Sequence, residues 1–158
     1  EVGADVYLLL DGDLGDSAVW AERLLAPVLA GQADMTIGRF GPQQGRGSGK
    51  MGFGFVRTFA TWAIKRYSGK TIDAPLSGQR AIRAEVLKDI GGFAQGFGVE
   101  IDLTIKAIWA GYQLMEVDVP MQHRPAGRGF RGFLHRGRQL VDIIRTLRRC
   151  LKERSSVC

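Results

Sequence analysis

The sequence predicts an α/β fold, because short apolar segments typical of strands alternate along the chain with longer segments that have helical spacing. Its 158 residues, 45% hydrophobic and 24% charged, have the size and composition of one ordinary globular domain. We find neither an internal repeat nor a low-complexity tract. No apolar stretch approaches the ~20 residues that span a bilayer.

The first half of the chain is predicted to form two strands and two helices in alternation: strand 5–10, helix 17–30, strand 33–38 and helix 53–68. Asp16 or Ser17 can cap the first helix, and Gly31 can end it. The glycine- and proline-rich segment 39–50 predicts a loop. In the second helix the apolar side chains expected near one face are Phe55, Phe59, Trp62, Ala63 and Ile64.

The second half continues the alternation: a loop with a short extended piece at 72–83, helix 84–90, a helix from about Val99, strand 112–121 and a last helix at about 132–152. Gly91 and Gly111 are expected to end the two middle helices. The helix from Val99 carries one apolar stripe, made of Ile101, Ile105, Ile108 and Tyr112. Polar and apolar residues alternate in the strand, as a half-buried strand requires.

The positive charge is confined to the end of the chain. Residues 1–122 hold 12 Lys/Arg against 14 Asp/Glu, a net −2, whereas residues 123–158 hold 10 against 2, a net +8. A basic amphipathic helix predicts binding to an anionic membrane or polyanion, while for its aliphatic stripe packing on the domain core is the favoured interpretation. Nucleic acid is disfavoured as a partner, because this segment contains no recognised binding module and only two aromatic residues, Phe130 and Phe133.

An unusual pair of carboxylates ends the first predicted strand. Asp11, Gly12 and Asp13 directly follow the apolar run from Val6 to Leu10, which predicts a buried strand. Side chains at positions i and i+2 point the same way at a strand end, and a glycine between them lets the backbone approach a ligand closely. Hard oxygen ligands suit Mg²⁺ or Mn²⁺. We interpret the pair as a D-x-D site for a divalent ion that bridges a diphosphate, a pattern that ordinary turns also contain.

Two other phosphate-related motifs fit the sequence poorly. The segment GRGSGK at 45–50 departs from the phosphate-loop pattern, because Met51 follows its Lys in place of the Ser or Thr that would hold magnesium. A haloacid-dehalogenase phosphatase would need Gly and then Thr or Val after the second Asp, where this chain has Leu14 and Gly15. It would also need a later acidic pair, and no DD or GDxxxD occurs downstream.

Several blocks occur in an order that resembles a known enzyme family: LLLDGDL, ADMTIGRF, LSGQRAIRAEVL and GFGVEIDLTIKAIWAGYQLMEVDVPMQHR. Over roughly residues 5–140 the chain resembles the inverting family-two glycosyltransferases of the GT-A fold, relatives of polyprenyl-phosphate sugar synthases and glucosyl-3-phosphoglycerate synthases. The resemblance implies a GT-A-type fold and metal-dependent transfer of a sugar from a nucleotide sugar. The acceptor would be a lipid phosphate or a small phosphorylated or hydroxy acid, and the cofactor Mg²⁺ or Mn²⁺.

An inverting transfer needs one general base, which takes the proton of the acceptor hydroxyl. Glu100 and Asp102 are the candidates, and they cannot both face one site because positions i and i+2 lie about 200° apart on a helix. Asp102 has Lys106 at i+4, which predicts a surface ion pair. Glu100 follows GFG at the helix start, and the family's G-[FY]-G-x-E block places its base at the Glu. We therefore predict Glu100 as the catalytic base.

The resemblance also implies further site residues. His123 follows the last predicted strand, where relatives that have this His use it to complete the metal site. The segment 76–80 matches the loop beneath the sugar and acceptor, and a tight turn into a strand is the equal alternative. The binding residues so predicted are Asp11, Ser77, Gly78, Gln79 and Arg80. Arginine offers forked donors to phosphate, which adds Arg124, Arg128 and Arg131 as donor- or acceptor-binding residues.

The chain departs from the family pattern at its beginning. Nucleotide-binding βαβ units normally precede the D-x-D strand, whereas only about ten residues precede Asp11 here. We therefore expect residues 1–131 to be the C-terminal part of a GT-A domain, followed by a basic amphipathic helix and tail at 132–158. The alternative is a non-catalytic membrane- or polyanion-binding module, or a pseudo-enzyme, derived from this fold.

The sequence also carries expectations about location. The N-terminus is acidic and lacks the basic region of a signal peptide. Two late cysteines, Cys150 and Cys158, give no disulfide framework, which favours a reduced, cytoplasmic setting. Peripheral association with a membrane and assembly into a homo-oligomer are left open.

Overall fold

A computed structural model of the chain describes residues 3–40, 53–94, 96, 98–122, 141–149 and 152. The strands in this part of the chain are β1 (Val6–Leu9), β2 (Met35–Phe40), β3 (Arg80–Arg83) and β4 (Leu114–Val119). The helices are α1 (Glu22–Leu29), which follows a 3-10 helix (Gly15–Ala21), then α2 (Phe53–Ser68), α3 (Ala84–Asp89) and α4 (Val99–Trp109). Residues 141–149 are also helical. No helix within these ranges has the length and apolarity needed to cross a membrane.

The four strands form one mixed sheet in the order β1-β3-β2-β4. β3 pairs antiparallel with both β1 and β2, and β2 pairs parallel with β4. In the β1–β3 ladder Leu9 lies opposite Arg80. This register determines which residues meet beyond the end of β1. Strands and helices alternate along the chain, and the strands form one mixed sheet. The predicted α/β class is therefore confirmed.

Helices cover both faces of the sheet. Consecutive strand residues point to opposite faces, so neighbouring residues of one strand pack against different helices. Ile37 and Ile82 belong to apolar clusters with residues of α2, α3 and α4. Ala81 packs instead in a cluster with Leu24 of α1. On that second face the hydroxyl of Thr36 donates to the Leu24 carbonyl at 2.8 Å. The result is a three-layer arrangement with the sheet in the middle.

The structure corrects the predicted burial of the first strand. Tyr7 is 40% exposed and Leu8 is 37% exposed, although the apolar run predicts a buried strand. Within the described sheet β1 lies at the edge and pairs only with β3. Strand β2 also extends to Phe40, two residues beyond its predicted end.

The start of the first helix differs from the prediction as well. It begins as a 3-10 helix and becomes α-helical only at Glu22, and neither segment has a side-chain cap. The Ser17 hydroxyl donates to the Leu14 carbonyl at 2.6 Å and accepts a hydrogen bond from the Gln122 backbone N–H at 3.0 Å. The prediction of Asp16 or Ser17 as a cap is therefore wrong. The predicted stop at Gly31 agrees with the structure, since Gly31 has φ +69°.

Helix α2 has the predicted bounds but buries a different face. Val56 and Ala60 lie in the core together with the predicted pair Ala63 and Ile64. Phe55 is 65% exposed and Trp62 is 53% exposed, so two of the five residues predicted to share one face point to solvent. The prediction gave the large aromatic side chains to the buried face. In the structure smaller residues occupy that face, and they allow α2 to lie close to the sheet and to α4.

The helix at 141–149 packs its apolar side on the domain core. Ile143 is fully buried and Leu147 nearly so, both in the cluster with Ile101 and Ile105 of α4. Arg145, Arg148 and Arg149 are exposed on the other side. The aliphatic stripe is therefore a packing surface over these residues. Residues 132–140, 150 and 151 of the predicted helix, and both cysteines, lie outside the described residues.

We predict that Ile143→Ala lowers the free energy of unfolding by about 2–5 kcal/mol, the usual cost of truncating a fully buried aliphatic side chain. The matched control is Val141→Ala on the same helix, because Val141 is 46% exposed. Its effect should stay within about 0.5 kcal/mol. Urea denaturation measures both variants, and equal losses would contradict the packing of this helix on the core.

Candidate active site

The β1–β3 register brings Asp11 to Gly78. Leu9 pairs with Arg80, so continuing the antiparallel ladder by two residues places Asp11 opposite Gly78. A Cβ on Gly78 would lie 2.6 Å from Asp11 Oδ1. Only glycine leaves room for the carboxylate in this position. The structure therefore brings together two of the segments predicted to form the site, the D-x-D turn and the loop at 76–80.

Two polar side chains of that loop hold the Asp11 carboxylate. Gln79 is fully buried, and its Nε2 donates to Asp11 Oδ2 at 2.7 Å. The Ser77 hydroxyl in turn donates to Gln79 Oε1 at 3.1 Å, which fixes the orientation of the amide. Ser77 and Gln79, predicted to bind the donor or acceptor, are thus hydrogen-bonded to each other, and Gln79 is hydrogen-bonded to Asp11. Their arrangement supports an oriented, outward-facing carboxylate.

Glu100 lies in the first turn of α4 and is half-buried. Burial raises the pKa of its carboxyl group above the ordinary value of 4.5, and the negative charge of Asp11 raises it further, while the positive charge of Arg80 opposes the shift. Asp11 and Glu100 therefore lie close enough to interact electrostatically, although 89 positions separate them. A partly buried carboxylate with a raised pKa is typical of a general base.

Asp102 forms the ion pair expected from its spacing, with Asp102 Oδ2 3.4 Å from Lys106 Nζ. The pair is not on the surface, as the sequence predicts, because the Asp102 side chain is fully buried and that of Lys106 is only 19% exposed. The correction has a simple cause: α4 is covered on several sides, so its polar residues are buried along with its apolar ones. Asp102 thus has a structural partner inside the protein.

Arg80 occupies the interior and not the surface of the site. Its side chain is fully buried, so the predicted contact with donor or acceptor is replaced by contacts with the protein. Nε donates to the Ser77 carbonyl at 2.9 Å, and Nη1 donates to the Thr104 hydroxyl at the same distance. The sequence analysis did not predict Thr104 as a site residue. Its only signal in the sequence is its position four residues after Glu100, one helical turn away.

The loop before Ser77 is held from the sheet side by residues that the sequence analysis missed. Glu116 of β4 accepts hydrogen bonds from the backbone amides of Asp73 and Ala74 at 2.7–3.1 Å. Beside it Arg39 makes two hydrogen bonds to Asp118, at 2.6 and 2.9 Å. This contact holds the pKa of the Asp118 carboxyl below its usual range. These residues anchor the loop at its first end.

Helix 141–149 presses against the start of α4. A Cβ on Gly98 would lie 2.6 Å from Thr146 Cβ. Gly98 directly precedes α4, so the helix packs two residues away from Glu100. Gly98 of the GFG segment therefore allows the two helices to pack closely at this point.

The chemistry of the donor set fits a divalent cation. Asp11 and Asp13 both lie in the exposed turn after β1 and offer hard carboxylate oxygens. The described ranges contain no group of three or more His, Cys, Asp or Glu side chains that could hold a metal. Two carboxylates would therefore bind the ion together with further ligands. His123, the third predicted ligand, lies outside the described residues, as do Arg124, Arg128 and Arg131.

Comparison with known proteins gives a result for structure only. No protein-family profile matches the chain, and no curated protein sequence matches it. Glucosyl-3-phosphoglycerate synthase from Mycobacterium tuberculosis, solved with phosphoglyceric acid, matches with a TM-score of 0.70 and 23% identity, over 94% of this chain and 50% of that one. The chain has a GT-A glycosyltransferase fold.

Other complexes of the same synthase give similar matches. The complex with Mn²⁺, UDP-glucose and phosphoglyceric acid has a TM-score of 0.68 at 24% identity, and the complex with Mg²⁺ and UDP has 0.66 at 24%. Each covers 94% of this chain, which spans about half the length of these solved relatives. The predicted GT-A fold is confirmed. Within this fold Asp11 contacts the loop at 76–80 beyond the end of β1, and Glu100 lies near enough to feel the charge of Asp11.

Proposed function

We propose that the protein transfers a sugar from a nucleotide sugar to an acceptor hydroxyl, with inversion at the anomeric carbon and with the help of a divalent cation. The observation that carries this proposal is that Asp11 contacts the loop at 76–80 and lies near enough to Glu100 for their charges to interact, in a chain with a GT-A fold. Metal ligands for a diphosphate and a base for a hydroxyl are the two groups that such a transfer needs.

Asp11 and Asp13 would hold the cation, with Asp11 also beside the donor's ribose. A bound Mg²⁺ or Mn²⁺ would neutralise the charge that develops on the departing diphosphate. Gln79 keeps the Asp11 carboxylate oriented, so little reorganisation is needed on binding. His123 is proposed as a third ligand. In support, the backbone N–H of Gln122, the residue before it, donates to the hydroxyl of Ser17 at 3.0 Å, and Ser17 lies four residues after Asp13.

Glu100 would act as the base for the acceptor. A bond forms between the acceptor oxygen and the anomeric carbon, while the bond from that carbon to the diphosphate oxygen breaks. The hydroxyl proton passes to the Glu100 carboxylate, and the electron pair leaves with the diphosphate. The half-buried position of Glu100 excludes part of the water that would compete for this proton.

The solved relatives suggest the first substrates to test. Because they bind UDP-glucose and phosphoglyceric acid, we propose a UDP-sugar as donor and a small phosphorylated hydroxy acid as acceptor, with a lipid phosphate as the alternative. The proposed phosphate-binding residues are Arg124, Arg128 and Arg131. The decisive experiment incubates the full-length protein with nucleotide sugars, acceptors and Mn²⁺, and detects product by mass spectrometry. Failure to turn over any donor would favour the pseudo-enzyme alternative.

We predict that Asp13→Asn in the full-length protein abolishes Mn²⁺-dependent turnover, because the amide replaces a charged ligand of the cation. Titration of Mn²⁺ binding in the presence of UDP should show the same loss. Asp16→Asn, a nearby exposed carboxylate outside the D-x-D pair, is the matched control and should keep its metal dependence. Unchanged metal dependence in Asp13→Asn would end this assignment.

We predict that Glu100→Gln lowers kcat by about 10²–10⁴-fold, the usual contribution of a general base. Donor binding should persist, because the cation and diphosphate are held by another element. The wild-type rate should fall as pH drops through the Glu100 pKa, since only the ionised carboxylate accepts a proton, and that pKa lies above the ordinary 4.5. The pH–rate profile of Glu100→Gln should lack this acid limb.

Asp102→Asn is the control for this prediction. It removes the partner of Lys106 inside the protein, so it should lower stability, while kcat of the folded variant stays within a few-fold of wild type. If Glu100→Gln keeps normal turnover and Asp102→Asn loses it, the two roles are reversed. If both variants remain active, the base lies elsewhere.

Association with an anionic membrane is a second proposal, and it accompanies the enzymatic one. The supporting observation is the exposed row of Arg145, Arg148 and Arg149 on helix 141–149. Because Ile143 and Leu147 pack in the core, the contact would be electrostatic and would not insert the apolar stripe into lipid. We propose a cytoplasmic location, where such a surface meets anionic lipids. A homo-oligomer remains an assembly to test by analytical ultracentrifugation.

We predict that the full-length protein sediments with phosphatidylserine vesicles and much less with phosphatidylcholine vesicles, and that added salt weakens the binding. Replacing Arg145, Arg148 and Arg149 together by Gln should release it. The control replaces three exposed cations of α2, Arg57, Lys65 and Arg66, and should bind normally. Equal binding to neutral vesicles, or none to either kind, rules out electrostatic anchoring.

A further inference from the structure

We propose that Arg80 is a positioning residue for Glu100, whose buried guanidinium ties the backbone of the first turn of α4 to the loop that holds Asp11. The inference rests on the role of Glu100 proposed above. Arg80 begins β3, in the middle of the described sheet, and its side chain is 0% exposed. It therefore cannot touch a substrate in this arrangement and must act through its protein contacts.

The first connection runs to Glu100 through Thr104. Arg80 Nη1 donates to Thr104 Oγ1 at 2.9 Å, and the Thr104 hydroxyl donates to the Glu100 carbonyl at 2.7 Å. A hydroxyl has one proton to donate. Since that proton points to the Glu100 carbonyl, its lone pairs are available to the guanidinium. The fully buried Thr104 is thus oriented from both sides, and it relays the position of Arg80 to the Glu100 backbone.

The second connection runs to the loop that carries Gln79. Arg80 Nε donates to the Ser77 carbonyl at 2.9 Å, and Nη2 donates to the Pro75 carbonyl at 3.4 Å. Gln79, two residues beyond Ser77, donates to Asp11. A single planar group therefore contacts both the segment behind the proposed metal ligand and the helix turn behind the proposed base.

The chemistry of the pocket explains why arginine is present. The guanidinium meets carbonyl, hydroxyl and, at 3.9 Å, Met35 sulfur acceptors in several directions, which the fork of an arginine can satisfy and the single ammonium of a lysine cannot. In the described part of the chain no carboxylate forms an ion pair with it. Burial lowers the pKa of Arg80 to about 10. A buried cation without an ion-pair partner is costly, and an apolar residue would fill a purely structural position more favourably.

The test uses three single variants of the full-length protein, Arg80→Met, Thr104→Val and Thr104→Ser, and one double variant. Arg80→Met and Thr104→Val should lower kcat by up to about 10²-fold, the effect of misplacing a reacting group by roughly 1 Å, while KM for the nucleotide sugar changes little. Thr104→Ser keeps the hydroxyl and should restore kcat. The double variant Arg80→Met/Thr104→Val should be no slower than Arg80→Met alone, because both act along one path.

The matched control is Arg83→Met, which removes an arginine from the same strand. Arg83 is 43% exposed and pairs with Asp34 at 3.5 Å, so this variant should keep the wild-type kcat. Fully additive effects in the double variant, or an undiminished kcat in Thr104→Val, would overturn the proposal. If Arg80→Met does not fold, the Thr104 pair alone decides, because Thr104→Val removes one hydroxyl and preserves shape.

A second readout does not depend on activity. Hydrogen exchange should accelerate at the amides of residues 99–104 and 76–79 in Arg80→Met, and remain unchanged in α3 and in Arg83→Met. A wild-type protein that transfers no sugar would refute the proposed function, whereas unaltered exchange at these amides would refute the positioning role of Arg80. The two failures are thereby distinguished.

Discussion

The antiparallel register of β1 and β3 is the constraint on which the site depends. It sets Leu9 opposite Arg80 and, two residues on, Asp11 opposite Gly78. A slip of one residue would exchange the two faces of a strand. Arg80 would then leave the interior, and Ala81 would leave its cluster on α1. One pairing therefore determines where the carboxylate meets the loop, where the guanidinium is buried, and which helical layer each residue of β3 contacts.

Elements with strong local signals are those that the sequence predicts well. Helix α2 matches its predicted bounds, and α4 begins at Val99 as expected, because long segments of helical spacing end at clear breaks. Glycine stops follow the same logic: Gly31 and Gly111 have φ of +69° and +87°, a conformation that other residues rarely adopt. The D-x-D turn and the GFG segment are likewise visible as local patterns.

Burial and long-range pairing escape such patterns. Asp102 and Lys106 show their spacing in the sequence, but only the packing around α4 reveals that the pair lies inside the protein. Arg80 appears in the sequence as one residue of a loop predicted to bind donor or acceptor, whereas in the structure its guanidinium donates to acceptors of the protein itself. The exposure of β1 is not visible in the sequence either, since an apolar run does not indicate whether a strand lies at the edge or in the middle of a sheet. In each case burial depends on residues that are distant in the sequence and close in the fold.

The loop between Asp73 and Gln79 shows how a site can be rigid without regular structure. Its first residues donate their amides to Glu116 of β4, and its middle carbonyls accept from Arg80. Anchored at both ends, the loop presents Gly78 to Asp11 with little conformational freedom left to lose on binding. Preorganised groups of this kind act in a transition state without reorganising at the moment of reaction. This arrangement buries a cation and turns the carbonyls of Pro75 and Ser77 inward. The hydrogen bonds between these groups offset the loss of their hydration and also hold the loop in place.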